Sequence, residues 1–110
     1  MTDADPSALL AVFTTTATRD EAQRIATALV EQGLVACAQL SDIDSIYRWD
    51  GALQHSSECR LLLKTTVGRY AAVEALIRQL HAYELPAIYA VPVAQASAPY
   101  ADWVRGITVA

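Results

Sequence analysis

The residues of this chain best placed to do chemistry are two histidines, two cysteines and the carboxylates near them. His81, Tyr83 and Glu84 stand close together just ahead of Pro86, where a loop can gather an imidazole, a phenol and a carboxylate. Such a set can bind a cation or hold a proton. The competing structural role has His81 at the carbonyl end of a helix and Glu84 paired with Lys64 or an arginine. His55 lies among Gln54, Ser56 and Ser57 near a turn, the setting of a solvated or interface imidazole. Cys37, between Ala36 and Ala38, reads as a packed thiol. Cys59, beside Glu58 and Arg60, reads as partly exposed and has no neighbouring histidine to activate it. No Cys-x-x-Cys pair and no short metal-ligand motif is present, and the four glycines form no phosphate cradle.

The elements that must position these groups follow from hydrophobic spacing. Leu9 to Thr15 is an apolar run of strand length. Thr18-Arg19-Asp20-Glu21 is a capping box, in which the Thr18 hydroxyl and the Glu21 carboxylate each satisfy an amide at a helix start. Ala22, Ile25, Ala26, Leu29 and Val30 recur at helical spacing, and Gly33 suits the left-handed position that ends the helix. Leu34 to Leu40 forms a second strand, Ser41 to Asp44 reads as a bulge or kink, and Ser45 to Asp50 resumes the strand. Gly51 marks a turn. Leu53 to Val67 returns as a long third strand whose end, Leu61-Leu62-Leu63, is apolar on both faces and therefore central. A second helix runs from about Gly68 to Leu80, with Tyr70, Val73, Leu76, Ile77 and Leu80 on one stripe. Ile88 to Val93 is a fourth strand, which Pro92 confines to an edge, and Tyr100 to Arg105 is a short terminal helix.

With right-handed crossovers this order gives an α+β, ferredoxin-like βαββαβ sandwich: a four-stranded antiparallel sheet with two helices on one face and an extended hairpin between the second and third strands. Residues 1–7 read as a disordered N-terminal tail and 8–110 as a single domain. The hairpin strands are too long for a 110-residue core. A projecting ribbon carrying Ile46, Tyr47 and Trp49 needs another subunit to cover it, so the expectation is an obligate homo-oligomer with those three residues at its interface.

Twelve acidic against eight basic residues give a formal charge of -4, and the bases are scattered singly. Nucleic acid is therefore not an expected partner, and neither is an anionic membrane. The longest uncharged stretch is broken by Pro86, Pro92 and Pro99 and cannot form a membrane helix. No basic residue precedes Arg19, so no secretory n-region is seen, and a cytoplasmic setting with both cysteines as free thiols is expected.

Ala36-Cys37-Ala38, Ser45-Ile46-Tyr47-Arg48-Trp49-Asp50-Gly51, Leu62-Leu63-Lys64-Thr65, His81-Ala82-Tyr83-Glu84-Leu85-Pro86 and Tyr100-Ala101-Asp102-Trp103, in this order, resemble the CutA family of divalent-cation tolerance proteins. The resemblance implies a ferredoxin-like, non-enzymatic homotrimer, PII-like in architecture, in a bacterial cytoplasm. It also implies a role in tolerance of copper and other divalent metals, by metal binding or by sensing at inter-subunit clefts. The candidate cofactor is Cu²⁺ or another divalent cation. The candidate ligand site is His81, Tyr83, Glu84 and Lys64, with His81 as the metal ligand; the protein partner is unknown. Where copper binding is proposed in the family, a cysteine and two histidines act together, but the matching positions here are Thr14, Leu80 and His81. The alternative is a structural or adaptor trimer that binds a small molecule or a protein and no specific metal. Acylphosphatases share the strand and helix order, but their arginine–asparagine chemistry has no counterpart in a chain without Asn.

Overall fold

The computed structural model describes residues 5–108. Strand β1 spans Leu9–Thr16, helix α1 Arg19–Glu31, strand β2 Cys37–Trp49, strand β3 Ala52–Thr66, helix α2 Tyr70–Leu80, strand β4 Ile88–Pro92 and helix α3 Ala98–Thr108, with a 3₁₀ turn at Val67–Arg69 leading into α2. The sheet order is β2-β3-β1-β4 with every neighbouring pair antiparallel. This is the ferredoxin-like arrangement that the element order implies. β4 lies at the edge, as Pro92 requires.

The start of α1 follows its cap. Thr18 Oγ1 accepts from Glu21 N at 3.1 Å, satisfying one amide that the helix leaves unpaired. The other half of the expected capping box is not used, because the Glu21 carboxylate turns to a distant loop instead. Gly33, at φ +69°, closes the helix with Leu34 N donating to Leu29 O at 3.0 Å. Ala22, Ile25, Ala26 and Leu29 are buried, whereas Val30, expected on the same stripe, faces solvent.

The hairpin differs from expectation at one point. β2 pairs with β3 without a slip from Cys37 opposite Lys64 to Trp49 opposite Ala52. No residue is inserted at Ser41 to Asp44, so the expected bulge is absent and the two strands form one unbroken ribbon. Asp50 and Gly51 close it with φ values of 52° and 79°, the doubly positive pattern of a tight two-residue hairpin turn. β1 pairs only with residues 59–66 of β3. Residues 52–58 are therefore bonded to β2 alone among the described residues, and the ribbon runs beyond the four-stranded sheet.

Side-chain alternation divides the packing between two faces. On one face Val12, Leu61 and Leu63 pack against Ile25, Leu29, Val73 and Ile77 from α1 and α2. Burying side chains of this size contributes roughly 1.5–3 kcal/mol each. On the other face Leu9 and Ala36 pack against Ala101 and Val104 of α3. The expected two helices on one face are thus joined by a third on the opposite face, longer than the Tyr100 to Arg105 segment anticipated. Alternation also reverses the two cysteines: Cys59 shares the face of Leu61 and is buried in the core, while Cys37 is only half-buried. Both are free thiols. Of the tail expected over 1–7, residues 1–4 lie outside the described residues. Pro6 O accepts from Gly68 N at 2.9 Å, and Ser7 O accepts from Arg105 Nε at 2.9 Å.

Among the described residues one buried side-chain group is left without a partner. Thr14 Oγ1 is fully buried and makes no hydrogen bond, which costs free energy that an apolar group of the same shape would not. Thr14→Val is expected to stabilise the fold by about 1 kcal/mol, read as a higher denaturation midpoint with unchanged slope. A lower midpoint would show that the hydroxyl has a partner.

Candidate functional site

The loop after α2 carries the chemistry-bearing residues to the step where β1 ends and β3 continues. His81 closes α2 by donating its backbone N–H to Ile77 O at 2.9 Å, then leaves the helix with extended torsion angles. Its ring turns away from the α2 carbonyls it was expected to cap and enters the protein, where its side chain is fully buried. Nε2 lies 2.7 Å from Thr15 O, the carbonyl near the end of β1. Nδ1 accepts from Tyr83 N at 3.0 Å.

These two bonds fix the tautomer. A carbonyl only accepts and an amide N–H only donates, so the proton sits on Nε2 and the lone pair of Nδ1 faces Tyr83 N. Both ring nitrogens are occupied. A metal ion binds imidazole through a free lone pair, and in this arrangement His81 has none to offer.

Two carboxylates complete the cluster. Glu21, from the first turn of α1, is 4% exposed. Its Oε2 accepts from Ala82 N at 2.8 Å and lies 3.5 Å from His81 Nδ1. Glu58, in the part of β3 beyond β1, accepts from Tyr83 Oη at 2.6 Å. The His81 and Tyr83 rings stand 4.9 Å apart. Burial, followed by the hydrogen bond to Glu58 and the negative charge nearby, pushes the Tyr83 phenol far above its ordinary range. The phenol is held neutral as a donor, and the cluster is a closed hydrogen-bonded knot joining α1, β1, β3 and the loop.

The other expected site residues lie apart. Glu84 is exposed and makes no pair with Lys64. Lys64 Nζ donates to Gln39 Oε1 at 3.3 Å and sits 5.9 Å from the centre of the Tyr100 ring. It is opposite Ala11 in β1, four residues from Thr15 and so roughly 13 Å along the strand from the His81 contact. His55 is exposed on the ribbon opposite Ile46. At the tip, Ile46 is 69% and Trp49 49% exposed, and the partly exposed Tyr47 shares a 3.2 Å hydrogen bond with Ser56.

Glu58 also lines a groove of about 430 Å³ with Arg19, Asp42 and Asp44, in which Arg19 and Asp42 form an ion pair at 2.9 Å. The Cys59 thiol at its base is pushed up by burial, with the Arg19 charge opposing, and is a poor nucleophile. Among the described residues no group of three or more His, Cys, Asp and Glu side chains converges as a metal site.

Sequence reasoning found His81 and Tyr83 but missed Glu21, Glu58 and the Thr15 carbonyl. Glu21 had a local explanation as the second half of a capping box, and that explanation hid its long-range one. The available signal was a glutamate on the buried side of α1 beside Ala22 and Ile25, which a solvent-facing cap does not need.

The family model for CutA1 divalent ion tolerance protein matches residues 10–106. The human protein CutA is 38% identical over 104 residues, covering 94% of this chain, which spans 58% of the human protein's length. The divalent-cation tolerance protein CutA of Thermus thermophilus is 38% identical over 95 residues, 86% of this chain and 92% of that one. The crystal structure of the stable protein CutA1 from the psychrotrophic bacterium Shewanella sp. SIB1 superposes with a TM-score of 0.91 at 37% identity, covering 97% of this chain and all of that one.

The knot makes two measurable demands. Glu21→Ala leaves Ala82 N without its acceptor and is expected to cost about 1–3 kcal/mol and to speed hydrogen exchange at Ala82; unchanged exchange would contradict the contact. Because the Tyr83 phenol titrates higher folded than unfolded, its contribution to stability is complete below about pH 10 and falls as pH rises further. Tyr83→Phe is therefore expected to flatten the loss of stability above pH 10, and a slope identical to the parent would contradict this.

Proposed function

The chain belongs to the CutA1 divalent ion tolerance family, and from that premise we propose that it serves divalent-cation tolerance as a non-enzymatic homotrimer that recognises its ligand at clefts between subunits. The observation that carries the reading is the ribbon. Two strands of 13 and 15 residues end in Ile46, Trp49 and Leu53, the last 71% exposed, and residues 52–58 of β3 present an edge that β1 does not cover. An apolar tip and an open strand edge are the features another copy would cover. Tyr47, Trp49 and Ile46 are the interface anchors in this reading.

The foot of the same edge holds Tyr83 and Glu58, with Glu84 on the surface beside them. Glu84 is the recognition group of the cleft, and His81 and Tyr83 orient the loop rather than ligating an ion. Lys64, on the α3 face, enters only through the surface that a neighbouring copy covers. The closed His81 ring favours a second reading, in which the trimer is a structural or adaptor assembly without a specific metal such as copper. The unpaired thiols Cys37 and Cys59 support a reducing, cytoplasmic setting. No helix among the described residues is long and apolar enough to cross a membrane.

Sedimentation at graded concentrations tests the assembly. Three times the chain mass of 11.9 kDa is expected, with Trp49→Ala dissociating at concentrations at least about tenfold higher than the parent, the loss of one buried aromatic anchor. A monomer throughout would overturn the proposal. Titration with Zn²⁺ then separates the two readings: saturable binding lost in Glu84→Ala supports recognition in the cleft, and no saturable binding supports the adaptor.

A further inference from the structure

We propose that the groove bounded by the N-terminal segment, the β3–α2 turn and the end of α3 binds a small oxyanion, phosphate or a carboxylate. The groove has a volume of about 330 Å³ and is lined by Ser7, Thr66, Gly68, Arg69, Arg105 and Thr108, together with Pro6. None of its described lining residues is acidic, although acids outnumber bases twelve to eight in the whole chain. Two of the eight bases meet here.

Each guanidinium is held by a backbone carbonyl. Arg69 Nε donates to Thr108 O at 2.6 Å, and Arg105 Nε donates to Ser7 O at 2.9 Å. Both bonds use the Nε edge; the terminal N–H groups of Arg69, and those of Arg105 beyond the Nη1 that faces Asp102, offer a ligand the fork that matches a carboxylate or phosphate. Arg69 is half-buried and makes no ion pair with an acidic residue among those described. A partly desolvated cation that no described carboxylate neutralises is a costly arrangement that an anion relieves.

Two acids lie near Arg105. Asp102 approaches Arg105 Nη1 only at 3.5 Å and its side chain is largely solvated. Asp5 Oδ1 accepts both Ser7 N and Ser7 Oγ at 2.9 Å, and neither acid lines the groove. The wall is built closely: a Cβ on Gly68 would meet Pro6 Cβ and Pro6 O at 3.2 Å. The N-terminal segment is thus seated against the turn that presents Arg69.

The full chain, ¹⁵N-labelled, is titrated separately with sodium phosphate and sodium acetate at constant ionic strength set with sodium chloride. The Arg69 and Arg105 Nε–H resonances are followed. Saturable shifts of both with phosphate, with acetate, or with each are the expected result, and the more effective anion identifies the ligand as phosphoryl or carboxylate. Arg69→Gln is expected to weaken that binding at least about tenfold, with Arg69→Lys falling between. Shifts that stay linear and match those in added chloride would overturn the proposal, and the parent chain alone decides between these outcomes should the variants fail to fold.

Discussion

The structure depends on a step in its sheet. β1 stops at Thr16, while β3, its neighbour, has already run the length of the ribbon before the two meet at Cys59. Where a strand ends beside a longer one, its last carbonyls and its neighbour's edge lose their ladder partners, and each unpaired polar group that stays buried is costly. The loop after α2 fills that step. His81 takes the Thr15 carbonyl, Tyr83 takes Glu58 on the exposed stretch of β3, and Glu21 reaches from α1 to hold Ala82. The most distinctive residues of the chain are thus the fastening between the compact sandwich and the ribbon that leaves it.

This explains why the cluster is closed. An imidazole able to take a cation would need a free lone pair, and the one on Nδ1 is spent on holding Tyr83. The buried carboxylate beside it is spent on Ala82. What remains available to partners lies outside the knot: the ribbon tip, the uncovered edge of β3, and the surface carboxylate of Glu84. Membership of a divalent ion tolerance family is compatible with such a chain if recognition takes place where copies meet, because site geometry rather than the mere presence of ligand-type residues decides metal choice.

Much of the fold was legible because local and global signals agree. Thr18 and Gly33 delimit α1, Pro92 marks an edge strand, and the Leu61-Leu62-Leu63 run marks the strand between β1 and β2. The unbroken ribbon was less legible: Ser41-Asp42-Ile43-Asp44 has turn-forming residues, but cross-strand pairing with Ser57 to Arg60 outweighs their local preference, as strand propensity is set by neighbours. The second face of the sheet was missed for a different reason. The apolar stripe of α3 is completed by Leu9 and Ala36 from distant parts of the chain, contacts that no window of sequence contains. The same holds at the site, where Glu21 and Glu58 approach the loop from 61 and 25 residues away.

Whether the knot is closed is read directly from the protonation state of the two His81 ring nitrogens, by long-range ¹H–¹⁵N correlation near neutral pH with and without Zn²⁺. A proton on Nε2, an unprotonated Nδ1 accepting a hydrogen bond, and no change when Zn²⁺ is added are expected. A proton on Nδ1, or a Zn²⁺-dependent shift of either nitrogen, would show that the ring is free to ligate and would contradict a closed knot at the foot of the ribbon.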